Sequence, residues 1–101
     1  MPNEYILKDI TRQIVDMFFP LKILLFGSHA KARATNKSDI DLCVVADSDN
    51  KRKTLTEMYY NIDCEKPIDI MLYTPSEWDE LVTDSTSFAY KINTEGVVLY
   101  G

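Results

Sequence analysis

No stretch of this sequence approaches the roughly 20 consecutive apolar residues that a membrane span needs, and no membrane segment is expected. The opening MPNEYILKDITRQIVD carries acids and no cleavage-site pattern, so a signal peptide is not expected either. Cysteine is scarce. Cys43 and Cys64 lie far apart and lack metal-type spacing, which suits a reduced, cytoplasmic protein. Positive charge is in deficit, with 11 Lys/Arg against 16 Asp/Glu. That net of −5 argues against general affinity for nucleic acid. There is no repeat, no low-complexity run and no linker.

What remains is ordinary globular material, 46% apolar and 27% charged. A chain of 101 residues can bury one core. The expectation is a single domain over 1–101, with little room for a second substrate-binding domain. Charge is unevenly spread. Residues 1–53 hold nine Lys/Arg against seven Asp/Glu, whereas residues 54–101 hold two against nine. Lys31, Arg33 and Lys37 belong to the basic share. They are either a solvated loop or positive charge where a phosphate sits.

Hydrophobic spacing predicts a helix over 3–18, with Ile6, Leu7, Ile10, Ile14, Met17 and Phe18 as its core stripe and Asn3 as a cap. Pro20 follows its end. Leu21 to Phe26 reads as a buried strand stopping at Gly27. Residues 28–34 can start a short helix, and 35–38 are turn-like. Asp39 to Val45 is a second strand, with Asp39, Asp41, Cys43 and Val45 on one face. A helix marked by Leu55, Met58, Tyr59 and Ile62 follows, with Tyr59 expected in the core. Asp47 and Asp49 look like a turn and helix cap. Pro67 to Tyr73 is a third strand, and Asp69 and Met71 share its less apolar face. Thr74-Pro75-Ser76-Glu77 fits a capping box with proline at the first helical position. A short helix around Phe88–Ile92 and a last strand Val97–Tyr100 complete an α/β (α+β) arrangement, a small mixed β-sheet with helices packed on it.

Three aspartates stand out. Asp39 and Asp41 are two apart on a strand, about 6.6 Å along one face. Like charges that close raise one another's pKa, and burying them unpaired is costly. Divalent cations relieve both problems, and Mg²⁺ favours carboxylate and phosphate oxygen. Asp69 is a third acid in an apolar strand and joins the site if the two strands are neighbours. Three such carboxylates can hold two ions roughly 3.5–4 Å apart, the arrangement of phosphoryl- and nucleotidyl-transfer sites, and one of them can accept a hydroxyl proton. Gly27 lets the backbone approach a ligand closely. A helix starting at Ser28 would aim free N–H groups at an anion, with Lys31 and Arg33 in reach of the same phosphates. A lone Asp-x-Asp is a weak signal. The combination of strand, Gly-Ser, gap, Asp-x-Asp and a later strand acid is a strong one.

In this combination LLFGSHAKARATNKSDIDLCVV resembles the signature of the DNA polymerase beta-like nucleotidyltransferases. The short length resembles the minimal, antitoxin-type members often paired with a HEPN-domain toxin. The resemblance extends through PIDIMLYTPSEW to EGVVLY and implies the nucleotidyltransferase fold. It implies that Gly27 and Ser28 bind phosphate, and that Asp39, Asp41 and Asp69 are catalytic and hold two Mg²⁺ ions. It further implies transfer of a nucleoside monophosphate from an NTP to a hydroxyl, which in the antitoxin members is AMP from ATP to a tyrosine of the toxin partner. One departure is visible. Where the family often reads Gly-Ser-x-Ala-Arg-Gly, this chain has Gly27-Ser28-His29-Ala30-Lys31-Ala32. Lysine keeps the charge without arginine's bidentate fork.

Other residues carry less. His29, the only histidine, is expected as an exposed loop residue. Trp78 anchors a helix or an interface, and the cysteines are expected to be inert. Two further functions remain open: a module that neutralises a partner toxin by contact alone, and the nucleotidyltransferase subunit of a split antibiotic-modifying enzyme. No motif reads adenine over another base.

Overall fold

The structure is a computed structural model describing residues 4–31 and 39–101. The proposed cap Asn3 and the residues Ala32, Arg33 and Lys37 lie outside them. Helix α1 (Glu4–Phe18) buries Leu7, Ile10 and Ile14 at the spacing the sequence dictates. Met17, expected in that stripe, is 39% exposed. The chain leaves the helix through Phe19, whose positive φ of 50° belongs to the left-handed region that ends helices. It then runs into strand β1 (Lys22–Phe26). Strand β2 (Ile40–Val45), helix α2 (Lys51–Asn61) and strand β3 (Ile68–Tyr73) follow. Helices α3 (Pro75–Leu81) and α4 (Phe88–Glu95) and strand β4 (Val97–Tyr100) complete the order.

The four strands form one mixed sheet in the order β3-β2-β1-β4. β1 pairs antiparallel with both β2 and β4, whereas β2 and β3 are parallel. This mixed sheet with four helices is the expected α+β architecture. Strand alternation sends Ile23, Leu25, Ile40, Leu42, Val44, Ile70 and Leu72 to one face, under α1 and α2. Leu24, Cys43, Val45 and Tyr73 go to the other, under Trp78 of α3 and Ala89 and Ile92 of α4. Each fully buried aliphatic side chain contributes about 1.5–3 kcal/mol, so both faces hold the sheet.

The capping box reads as expected. Thr74 Oγ1 accepts from the Glu77 N–H at 3.3 Å, and the Glu77 carboxylate accepts from the Thr74 N–H at 2.9 Å. Trp78 is buried beside Tyr73, with ring centroids 5.5 Å apart, so it anchors α3. Two expectations are corrected. Asn50, not Asp47 or Asp49, caps α2 by accepting from the Lys53 N–H. Tyr59 is not a core residue. It is 47% exposed, and its hydroxyl accepts from the Ile70 N–H at 2.7 Å. That N–H lies on the outer edge of β3, so Tyr59 closes part of a sheet edge that would otherwise be free to pair. Among the described residues no helix is long and apolar enough to cross a membrane.

Candidate active site

β2 brings the acids together. Asp41 stands opposite Phe26 on β1 and opposite Asp69 on β3. Asp41 and Asp69 are therefore register partners on adjacent strands about 4.8 Å apart, which answers the question of whether Asp69 can join the pair. Asp39 precedes β2 by one residue and is exposed, as is Asp69, whereas Asp41 is partly buried. Burial pushes the Asp41 carboxyl above its ordinary pKa, Asp69 and then Asp39 push it further, and His29 pulls it back. The repulsion argued from spacing alone is present, and it centres on Asp41.

Gly27 explains how Asp41 fits. Its φ of +75° is in the left-handed region, where glycine carries no steric penalty. A Cβ there would overlap Asp41 Oδ2 and lie 3.1 Å from its Cγ. The bare backbone of Gly27 is the surface against which the Asp41 carboxylate rests. Past Gly27 the chain turns, and the Lys31 N–H donates to the Gly27 carbonyl at 3.2 Å. The described part of the expected 28–34 helix is this turn. It holds Ser28, partly buried, next to the acids' end of the sheet.

Two positions differ from expectation. His29 is 2% exposed rather than a surface loop residue, and it lies close enough to the Asp41 carboxyl to act on it. Lys31 Nζ sits 3.2 Å from Glu95 Oε1 on α4 rather than standing open. Arg33 lies outside the described residues. Glu95, Lys91 and Phe88 border the same region and were not legible, because only the packing of α4 brings them there. A cleft of about 150 Å³ opens between Gly27, Lys31 and α4. A larger groove of about 540 Å³ runs between α1 and β4 and includes none of the three aspartates.

Oxygen donors on three carboxylates that repel one another suit a hard divalent cation better than nitrogen or sulfur chemistry does. Among the described residues no three ligating side chains converge as a closed cluster.

The profile of the family described as Polymerase beta, Nucleotidyltransferase matches residues 8–101. The chain belongs to that family. The polymerase beta-like assignment covers both aspartate strands and the Gly27 turn. None of the curated proteins matches. Among solved structures, a Sulfolobus solfataricus protein provisionally assigned as a nucleotidyltransferase is similar to this nucleotidyltransferase-family chain. Its TM-score is 0.63 at 20% identity, covering 94% of this chain and 79% of that one. At that identity the likeness bears on the fold alone, and the fold agrees.

Proposed function

We propose that this nucleotidyltransferase-family chain moves a nucleoside monophosphate, AMP from ATP, onto a hydroxyl of a partner protein. The observation that carries this reading is the register of Asp41 with Asp69 beside the bare backbone of Gly27. In this reading Asp39, Asp41 and Asp69 hold Mg²⁺, which would supply positive charge to offset the phosphate charge that builds during transfer. Gly27 and Ser28 hold the phosphates through backbone and hydroxyl donors, with Lys31 and Arg33 adding cationic contacts. Asp69, the more exposed partner of Asp41, accepts the proton of the attacking hydroxyl. The new bond joins that oxygen to the α-phosphorus, the bond to the β-phosphate oxygen breaks, and pyrophosphate leaves.

Residues 1–101 act as one domain in this proposal, and the acceptor arrives on a second chain. The resemblance to antitoxin-type members makes a HEPN-domain toxin that partner, in the cytoplasm, with the modified tyrosine on the toxin. The test is to incubate ATP labelled at the α-phosphate with Mg²⁺, the purified chain and the protein encoded by the adjacent gene. Label on that protein, absent with Asp41→Asn, supports transfer. A stable complex without label, equally stable with Asp41→Asn, sinks the transferase reading in favour of neutralisation by contact.

A further inference from the structure

The cleft beside Gly27 carries an arrangement of charge that the aspartate site does not explain. Phe26 is the register partner of Asp41, so the cleft opens one to two strand spacings beyond it, roughly 5–10 Å. Its floor is apolar, with Ile92 and the Phe26–Phe88 pair, whose rings meet edge to face at 5.6 Å. Three charged side chains border it: Lys31 from the turn, and Lys91 and Glu95 one helical turn apart on α4. Glu95 takes Lys31 at 3.2 Å. Among the described residues Lys91 has no ion-pair partner. The cleft thus sets two cations against one acid, next to a cluster of three acids.

We propose that Lys31 and Lys91 bind the distal phosphates of the nucleoside triphosphate, and that Glu95 is the counter-ion those phosphates displace. The proposal rests on the transferase reading, in which the α-phosphate meets the aspartates. The Lys31–Glu95 pair is half-exposed on both sides, and such pairs are weak. A polyphosphate brings several charges and many acceptor oxygens, and it outcompetes one carboxylate for both lysines. A monophosphate reaches the aspartates but not the cleft, and it leaves Glu95 on Lys31. The exchange also runs backwards. Once the α–β bond breaks, Glu95 recaptures Lys31 and favours release of pyrophosphate. Lys91 and Glu95 are binding and gating residues, not participants in bond making.

The test is titration calorimetry of the full chain in Mg²⁺ with ATP, AMP and inorganic tripolyphosphate. Glu95→Gln is expected to tighten ATP and tripolyphosphate by about 2–5-fold and leave AMP unchanged. Lys91→Gln is expected to weaken the same two ligands by about tenfold, with Lys91→Arg restoring most of the loss. Both side chains are on the surface, and thermal melts confirm that each variant is folded. ATP binding by the parent that neither variant alters overturns the role of α4 while leaving the transferase reading intact. Equal tightening of AMP by Glu95→Gln overturns the distal-phosphate assignment. Failure of the parent to bind ATP or tripolyphosphate removes the reading and this proposal together.

Discussion

Replacing Gly27 with alanine separates the stability of this fold from its chemistry. Two costs follow from the structure. Alanine at φ +75° sits in the left-handed region, at a cost of about 1–2 kcal/mol. For a domain of this size that lowers the melting temperature by roughly 4–8 °C per kcal/mol, so a drop of about 5–15 °C is expected. The second cost is positional. The new Cβ overlaps Asp41 Oδ2. Restoring van der Waals contact requires the carboxylate to withdraw by on the order of 1 Å. A side-chain terminus can rotate away, so the fold survives. A shift of that size at a reacting centre costs on the order of 100-fold in rate. The expected outcome is a folded protein, modestly destabilised, with transfer of α-phosphate label nearly abolished. Because part of the Gly27 effect runs through Asp41, Gly27→Ala should cost less in the Asp41→Asn background than in the parent, the non-additivity expected of residues in contact. A folded Gly27→Ala protein within about threefold of the parent rate would refute the reasoning that the Gly27 backbone sets the Asp41 carboxylate.

Asp41→Asn should make the protein more stable while removing activity. Asp41 has a raised folded-state pKa through burial and its acidic neighbours. The native state therefore binds more protons, and stability is lost as pH rises from about 3.8 through the folded value. Like charges on neighbouring strands repel by on the order of 1 kcal/mol or less at the dielectric of water, so melts in chelator at pH 7 should favour the variant by up to about 1 kcal/mol. The gap should close towards pH 4, and a pH-independent gap would count against repulsion as its cause. Tyr59→Phe removes the acceptor of the Ile70 N–H and should cost about 1 kcal/mol in a denaturant titration. An unchanged midpoint would show that water replaces the hydroxyl without cost. The Cys43 thiol, pushed up to about 12 by burial, should resist alkylation near neutral pH while the partly exposed Cys64 reacts. Mass spectrometry after iodoacetamide decides the order, and Cys43 reacting first would contradict its burial.

Local chemistry made most of this fold readable. The α1 stripe, the Thr74–Glu77 capping box and the period-two alternation of β2 and β3 each depend on neighbours within a few residues. Asp41 and Asp69 were legible for the same reason, since each is an acid on the less apolar face of an otherwise apolar strand. What joins them is tertiary, for only the parallel pairing of β2 with β3 puts them in step. The misread residues are those whose partners lie far along the chain. Tyr59 follows the helical apolar spacing, yet its hydroxyl is spent on the edge of β3. His29 reads as a polar loop residue until the turn folds inward. Lys31 reads as an open cation because Glu95, which holds it, arrives 64 positions later.

The two margins of the sheet are unequal, and that inequality governs how copies of the chain can join. On the β3 side, Tyr59 occupies the Ile70 donor that an incoming strand would need. On the β4 side, no strand among the described residues pairs with the outer margin, and Val98 and Tyr100 are exposed there. A sheet with two open margins can add units without end, as fibrils do. A sheet with one margin partly blocked grows less readily from that side. Tyr59 thus withdraws one β3 donor from strand-by-strand growth and leaves the β4 margin as the more open of the two.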